Sequence, residues 1–110
     1  MKLAKKNDCV ALVQSIKSAS KEYASDNRYN RNFTNTISNN TKDLNVKVLV
    51  DEHYLSKPII NPFDNQEIPE SDFQNIKIKL TFNNNYTVNT VDVKYYKDGN
   101  INNDVFEICK

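Results

Sequence analysis

The first quarter of the chain is one long amphipathic segment, and it restricts the folds open to the remaining residues. Residues 4–25, AKKNDCVALVQSIKSASKEYAS, contain neither Pro nor Gly. Their apolar side chains recur at the helical spacing of three and four residues. The stripe consists of Cys9, Leu12, Ile16, Ala19 and Tyr23, widened by Val10 and Val13. At about 1.5 Å per residue this helix is roughly 30 Å long, which predicts one small domain built around it.

The second half of the chain changes to the period of a β-strand. In NIKIKLTF, apolar residues occupy every second position from Ile76 to Phe82, with Lys or Thr between them. In YTVNTVDVKYY the apolar phase shifts by one residue near Asn89, which indicates a β-bulge or a bend. The Asp-Gly pair of KDGN is a hairpin signal, and DVFEIC is interpreted as a last strand. Residues 75–109 are therefore predicted to form an antiparallel β-meander.

Between these two halves the sequence predicts irregular structure with one short helix. Residues 26–43 are rich in Asn, Thr and Ser, which favour turns, so we expect a long surface loop there. Residues 46–53 have helical apolar spacing behind Asn45, an acceptable N-cap. Residues 54–73 contain all three prolines and are predicted to connect the short helix to the sheet. The predicted fold class is α+β, a long N-terminal helix packed on an antiparallel β-sheet in one domain over 1–110.

Composition argues against several classes of function. The net charge is +1 without a basic stripe, so we expect no nucleic-acid binding. No apolar run approaches the roughly 20 residues of a membrane-spanning helix. His53 is the only histidine and Gly99 the only glycine, which excludes an H-E-x-x-H zinc motif and a Gly-rich phosphate loop. We therefore expect no enzymatic activity and no cofactor.

Acidic side chains in the Pro-rich connector, residues 54–73, could supply oxygen ligands. They are Asp64, Glu67, Glu70 and Asp72, together with the amide of Asn65. Such oxygens suit calcium, but the regular spacing of a calcium loop is absent, and Ile68 and Pro69 interrupt the run. As catalytic carboxylates they lack a basic or apolar setting that would separate their pKa values, as does the Asp51-Glu52 pair. We expect a solvated connector without a bound metal, with calcium as the alternative.

The two cysteines, Cys9 and Cys109, stand near opposite ends of the chain. Their spacing excludes a C-x-x-C redox or zinc motif. In a secreted protein such a pair indicates one disulfide, whereas in a cytosolic protein it indicates two unrelated buried thiols. The residues alone leave both alternatives open.

The order of these segments resembles the globular headpiece of type IV pilins and of the related type II secretion pseudopilins, especially those of Gram-positive bacteria. The similarity covers the Lys-rich helical start, the segment VKVLVDEHYLSKPIINPFDNQEI and the following meander. Within that segment, the short helix ends in Tyr54-Leu55, and a Lys57-Pro58 pair and an Asn61-Pro62-Phe63 turn follow, as in the family. The Gly that often follows the aromatic residue in the family is absent from DNQE.

The resemblance implies a structural subunit, a pilin or minor pilin, of an extracellular type IV pilus-like filament. Other pilin subunits are then its partners, and nucleic acid is not. It also implies an apolar half-helix and a prepilin-peptidase site upstream of residue 4, which anchor the precursor in the membrane before assembly at the cell surface. The alternatives are a pseudopilin of a type II secretion or DNA-uptake machine, and a small secreted adhesin or binding domain.

The resemblance further implies two sets of site residues. Because a pilin headpiece matures outside the cytoplasm, a disulfide between Cys9 and Cys109 is predicted. If Phe106 and Ile108 face the core of a last strand, however, strict alternation turns Cys109 away, so a bulge or another core face is needed. Exposed side chains of the connector lie where neighbouring subunits of a filament meet. The predicted subunit interface consists of Asn61, Phe63, Asp64, Gln66 and Glu67.

Overall fold

The long N-terminal helix is the largest element of the computed structural model, which describes residues 3–109. This helix, α1, spans Leu3–Asp26, so the prediction over 4–25 is confirmed. Leu12 and Tyr23, expected within the apolar stripe, are only half-buried at its margins. The fully buried positions show that the stripe is rotated slightly from the predicted one. They are Cys9, Val13, Ile16, Ala19, Ser20 and Ala24.

Three strands form one antiparallel sheet in the order β1-β2-β3. They are β1 (Thr41–Asn45), β2 (Ile76–Phe82) and β3 (Val88–Tyr95). The alternating apolar side chains of β2 are buried on the inner face, where α1 packs against β3. An α+β fold with a long N-terminal helix and an antiparallel sheet is therefore present, as predicted.

The predicted irregularity near Asn89 is confirmed as a β-bulge. Thr81 pairs with Thr90, but the next residue of β2, Phe82, pairs with Val88, so Asn89 has no partner in the register. The extra residue changes the phase of β3, so that Val88 before it packs against the core as Val91 and Val93 do after it, whereas Tyr86 is exposed.

An aromatic cluster joins the C-terminal end of α1 to the rest of the core. Tyr23 packs edge-to-face on Phe33 and on Tyr54, with ring centroids 5.6 and 5.3 Å apart, and Phe33 packs in the same way on Phe82 at 6.2 Å. The Tyr54 hydroxyl donates to the Asp26 carboxylate at 2.5 Å. Segments distant in sequence are thereby fixed around the last turn of the helix.

The prediction of a loop over residues 26–43 is wrong in two places. A short helix, α2, spans Arg31–Thr34 and is capped by Asn30, whose side chain accepts from the Asn32 N–H at 3.0 Å. Further along, β1 begins at Thr41, inside the predicted loop. Leu44 is the only buried side chain of β1, so its sequence lacks the apolar alternation that marks a strand. This edge strand forms because its backbone pairs with β2.

The prediction of a last strand within residues 75–109 is also wrong. After Tyr95 the chain turns through Asp98 and Gly99, which both have positive φ, as the Asp-Gly signal indicated, but no strand follows as far as Cys109, where the described residues end. The Asp104 carboxylate accepts from the Tyr95 N–H at 2.9 Å and so takes the place of a strand partner. The chain then ends its described part in a 3₁₀ turn, Glu107–Cys109.

The short helix predicted over 46–53 is present as α3, Val46–Asp51. Asn45 caps it as expected, accepting from the Val48 N–H at 3.2 Å. The connector then leads to β2 through a cis Lys57-Pro58 peptide bond and a 3₁₀ turn, Glu70–Asn75. The connector thus consists of individually bonded turns, and these turns position the predicted interface.

Candidate subunit interface

The predicted interface residues lie in a compact loop, residues 59–68, in the middle of the connector. Its two arms meet in an antiparallel bridge between Ile60 and Glu67. The Ile68 N–H donates to the Ile59 carbonyl at 2.8 Å, and the Asn61 N–H donates to the Gln66 carbonyl at 2.9 Å. These bonds close the loop like a very short hairpin, so its outer side chains are presented on a fixed backbone.

Asn61 does not belong to the exposed surface, which corrects the predicted interface. Its side chain is buried, with 5% of the residue exposed. The carboxamide oxygen accepts from the Phe63 N–H at 3.0 Å, and the Asn61 carbonyl accepts from the Asn65 N–H at 2.9 Å. Asn61 therefore shapes the turn from within, because an Asn side chain can replace a backbone acceptor in tight turns.

The other four predicted residues are accessible to a partner. Asp64, Gln66 and Glu67 are exposed, and Phe63 is half-buried against the core. The Asp64 carboxylate accepts from the Gln66 N–H at 2.9 Å and lies 3.5 Å from the Lys97 ammonium. The hydrogen bond from Gln66, followed by the attraction of Lys97, lowers the pKa of Asp64 despite the opposing effect of desolvation.

A lysine of α1 holds this loop beside the N-terminal part of the helix. The Lys5 ammonium donates to the Phe63 carbonyl at 2.8 Å, across 58 positions of sequence. The loop and the start of the helix therefore form one continuous surface. Nothing in the sequence pattern indicated this contact, because an exposed lysine on an amphipathic helix usually faces solvent.

A buried carboxylate anchors the end of the connector to the sheet. Asp72 is 5% exposed and accepts from the Tyr95 hydroxyl, from the Asn75 amide at 2.6 Å and from the Asp98 N–H at 3.2 Å. Burial raises the pKa of the Asp72 carboxyl, but these hydrogen bonds outweigh it and the net shift is downward. Desolvation and the hydrogen bond to Asp72 raise the pKa of the Tyr95 hydroxyl.

The acidic residues considered as calcium ligands point in different directions. Asp72 turns inward to Tyr95, Asp64 approaches Lys97, and Glu70 lies 2.7 Å from the Lys57 ammonium. Within residues 3–109, no group of three His, Cys, Asp or Glu side chains is arranged to hold a metal ion. Each of these carboxylates makes its own structural contact, an arrangement that fits separate hydrogen bonds and ion pairs better than it fits a calcium loop.

Cys109 stands at disulfide distance from Cys9, which lies in the N-terminal part of α1. Their Cα atoms are 5.6 Å apart, which lies in the usual range for a disulfide. The conflict with strand alternation disappears because the chain is a 3₁₀ turn there. With about three residues per turn, Phe106 and Cys109 share the buried side, while Ile108 is 49% exposed.

The contact between Asp72 and Tyr95 joins two residues that the sequence analysis had not connected. Asp72 had been grouped with solvated carboxylates, and its partner Tyr95 had been interpreted only as a strand residue. The only advance signal was an acidic residue directly before buried Phe73, which is too common to be diagnostic. His53, the only histidine, is exposed at the end of α3 with φ of 67°.

Comparison with known proteins gives no match, whether to protein-family models, to curated proteins or to solved structures. No helix in the described part of the chain is both long and apolar enough to cross a membrane. The function must therefore be argued from the geometry.

Proposed function

We propose that this chain is the headpiece of a pilin-like subunit that assembles into an extracellular filament. The observation that carries the proposal is the arrangement of α1 and the connector loop. A 24-residue helix packs on an antiparallel sheet, and Lys5 fixes loop 59–68 beside its N-terminal part. This arrangement supports a subunit whose helix continues into a filament core while the loop contacts a neighbouring subunit.

Two further features support this proposal. The first is the Cys9–Cys109 disulfide, because disulfides persist in oxidising compartments. The second is the network of polar bonds in the connector, which keeps Asp64, Gln66 and Glu67 on a rigid backbone. A partner that binds a rigid loop loses little conformational entropy to ordering, so repeated weak contacts can sustain an assembly.

The described residues offer more support for binding than for catalysis. The carboxylates of the connector are engaged in fixed structural contacts, and the lone His53 lies on the surface. We therefore propose a structural role without an enzymatic activity, with copies of the same chain or of similar subunits as partners.

Immunogold electron microscopy of intact producing cells tests this proposal. Antiserum raised against the purified protein should place gold particles along surface filaments, and the protein should be recovered in the fraction sheared from the cells. Gold confined to the cell envelope would favour a secretion pseudopilin instead. Recovery only as a soluble secreted monomer would favour a small binding domain, and either result would overturn the filament proposal.

A further inference from the structure

The outer face of the sheet, opposite α1, carries polar side chains in rows that cross all three strands. One row places Lys79 between Asp43 and Asp92, and the next places Lys77 between Asn45 and Lys94. A shallow depression of about 440 Å³ lies over these two rows. Tyr96, which follows β3, also lines the depression.

Lys77 and Lys94 are direct cross-strand partners of like charge. Side chains in such pairs have Cβ atoms about 4.5–5.5 Å apart, and two like charges there destabilise the sheet. Within residues 3–109, the ion pairs shorter than 4.0 Å are Lys47–Asp51, Lys57–Glu70 and Lys97–Asp64, so neither lysine takes part in one. Two like charges therefore face each other on the outer face of the sheet, next to the row of Asp43, Lys79 and Asp92, and an added anion would reduce their repulsion.

Apart from Asp43 and Asp92, which flank Lys79 in the next row, the polar groups that line the depression suit a carboxylate. The two ammonium groups, the Tyr96 hydroxyl and the Asn45 amide all carry hydrogen-bond donors. The Asn45 side-chain oxygen already accepts from the Val48 N–H, which leaves its NH₂ group as the donor. Bonds from ammonium to carboxylate are about twice as strong as neutral hydrogen bonds.

A surface of opposite charge lies at the C-terminal end of α1. Asp26 and Glu52 line one depression together with Tyr54, whose hydroxyl donates to the Asp26 carboxylate at 2.5 Å, and Glu22 precedes Asp26 by one turn of α1. The last turn of α1 has no basic residue, so the partial negative charge of the helix C-terminus adds to theirs. Nearby Lys42 is engaged elsewhere, with its ammonium over the Phe33 ring, 4.9 Å from the centroid.

We propose that the Lys77–Lys94 pair binds this acidic helix end, formed by Glu22, Asp26 and Glu52, on a second copy of the chain. The two surfaces lie on opposite layers of the fold, since α1 covers the inner face of the sheet and the lysines lie on the outer face. A contact between two different surfaces repeats from copy to copy, and it produces a filament when the rotation between copies does not close into a ring. The inference rests on the proposed filament and names two surfaces that meet in it.

Sedimentation velocity of the purified protein at low and high salt tests the contact by charge exchange. We expect concentration-dependent self-association at low salt that is lost when the Debye length falls to about 3 Å in 1 M salt. Lys94→Glu and Glu52→Lys should each lower the association constant at least tenfold. An equimolar mixture of these two variants should restore it, because each then offers the surface that the other lacks.

Matched controls separate this contact from general effects of charge and folding. Lys17→Glu makes the same change in net charge as Lys94→Glu, but at a partly exposed position in the middle of α1, outside both surfaces and twelve residues along the helix from Lys5, and should leave the association constant unchanged. Lys94→Glu should raise the melting temperature, because it replaces repulsion with attraction opposite Lys77. A folded variant that fails to associate therefore reports on the contact.

A wild-type protein that stays monomeric at low salt, or a mixture that does not restore association, would overturn the contact. These failures are distinguishable from failure of the filament proposal. Gold-labelled surface filaments combined with a monomeric mixture would reject only the contact between the lysine pair and the acidic helix end. Restored association without labelled filaments would reject only the filament.

Discussion

The β2–β3 hairpin and the connector adjoin each other in the chain, yet different interactions hold them in place. In the hairpin, Ile78 pairs with Val93 and Leu80 pairs with Val91, and all four side chains are buried on one face. Every second side chain buries apolar surface on the same face, so the alternation of apolar and polar residues determines the fold of this region.

The connector has no such period, and single polar contacts fix its path. Asn61 shapes loop 59–68, Lys5 ties that loop to α1, and Asp72 attaches the 3₁₀ turn to β3. The C-terminal segment resembles the connector in this respect, since Asp104 and the disulfide determine its course. The comparison indicates that the hairpin tolerates change at its surface, whereas the connector and the C-terminal segment depend on individual residues.

Removal of the disulfide should have the largest effect on the free energy of unfolding. Cys9 and Cys109 close a loop with a sequence separation of 100 residues, for which the chain-entropy model gives about 4.7 kcal/mol. Urea unfolding of a variant with Cys9→Ser and Cys109→Ser should show a loss of this size. An unchanged unfolding midpoint would mean that the C-terminal segment is held by other contacts.

Truncation of the hairpin core should have the next largest effect. Ile78 is 1% exposed, so Ile78→Ala should cost about 2–5 kcal/mol. Lys79→Ala, one position along on the outer face, is the matched control and should change stability by less than about 0.5 kcal/mol. Equal losses for the two variants would show that the inner face does not dominate the hairpin.

Loss of one hydroxyl should be measurable in the connector. Tyr95→Phe keeps the buried ring but removes the donor to the Asp72 carboxylate, which should cost about 1–3 kcal/mol. The half-buried Tyr23 offers a control, because Tyr23→Phe removes a hydroxyl that does not bond to Asp72. Chemical denaturation should give a lower free energy of unfolding for Tyr95→Phe than for Tyr23→Phe. Identical curves would show that the hydrogen bond from Tyr95 to Asp72 contributes nothing to stability.

The contact between Tyr95 and Asp72 also predicts that the stability of the protein depends on pH in the acidic range. Because the pKa of Asp72 is lower in the folded protein than the value of about 3.9 in an unfolded chain, the carboxylate stabilises the fold above that value. This contribution falls as the pH drops through the folded pKa. Asp72→Asn should therefore flatten the acid part of the pH–stability curve, and an unaltered slope would contradict the assignment.

The sequence predicted the regular elements because their periods record which face is buried. Helix α1, strand β2 and the bulge at Asn89 all follow from positions of apolar residues. Strand β1 was missed because Leu44 is its only buried side chain, so its pairing depends on the backbone of β2.

The site was less predictable than the fold. The predicted interface rests on the resemblance to pilins and stays a prediction, and the structure leaves Phe63, Asp64, Gln66 and Glu67 accessible. The resemblance could not indicate that Asn61 points inward, because the sequence does not distinguish an Asn in a buried turn from an Asn on the surface. The pairing of Lys77 with Lys94 could not be predicted, because the sequence of one strand does not show which residues of the next strand lie opposite it.

Photo-crosslinking in assembled filaments tests the central claim, that loop 59–68 lies between neighbouring subunits. A photo-reactive amino acid in place of exposed Gln66, in the full-length protein expressed by producing cells, should yield a ladder of crosslinked subunits after irradiation of sheared filaments. The same substitution at Asn102, exposed on the C-terminal segment, is the control and should yield mainly monomer. Filaments that form normally but give only monomer from position 66 would contradict the claim.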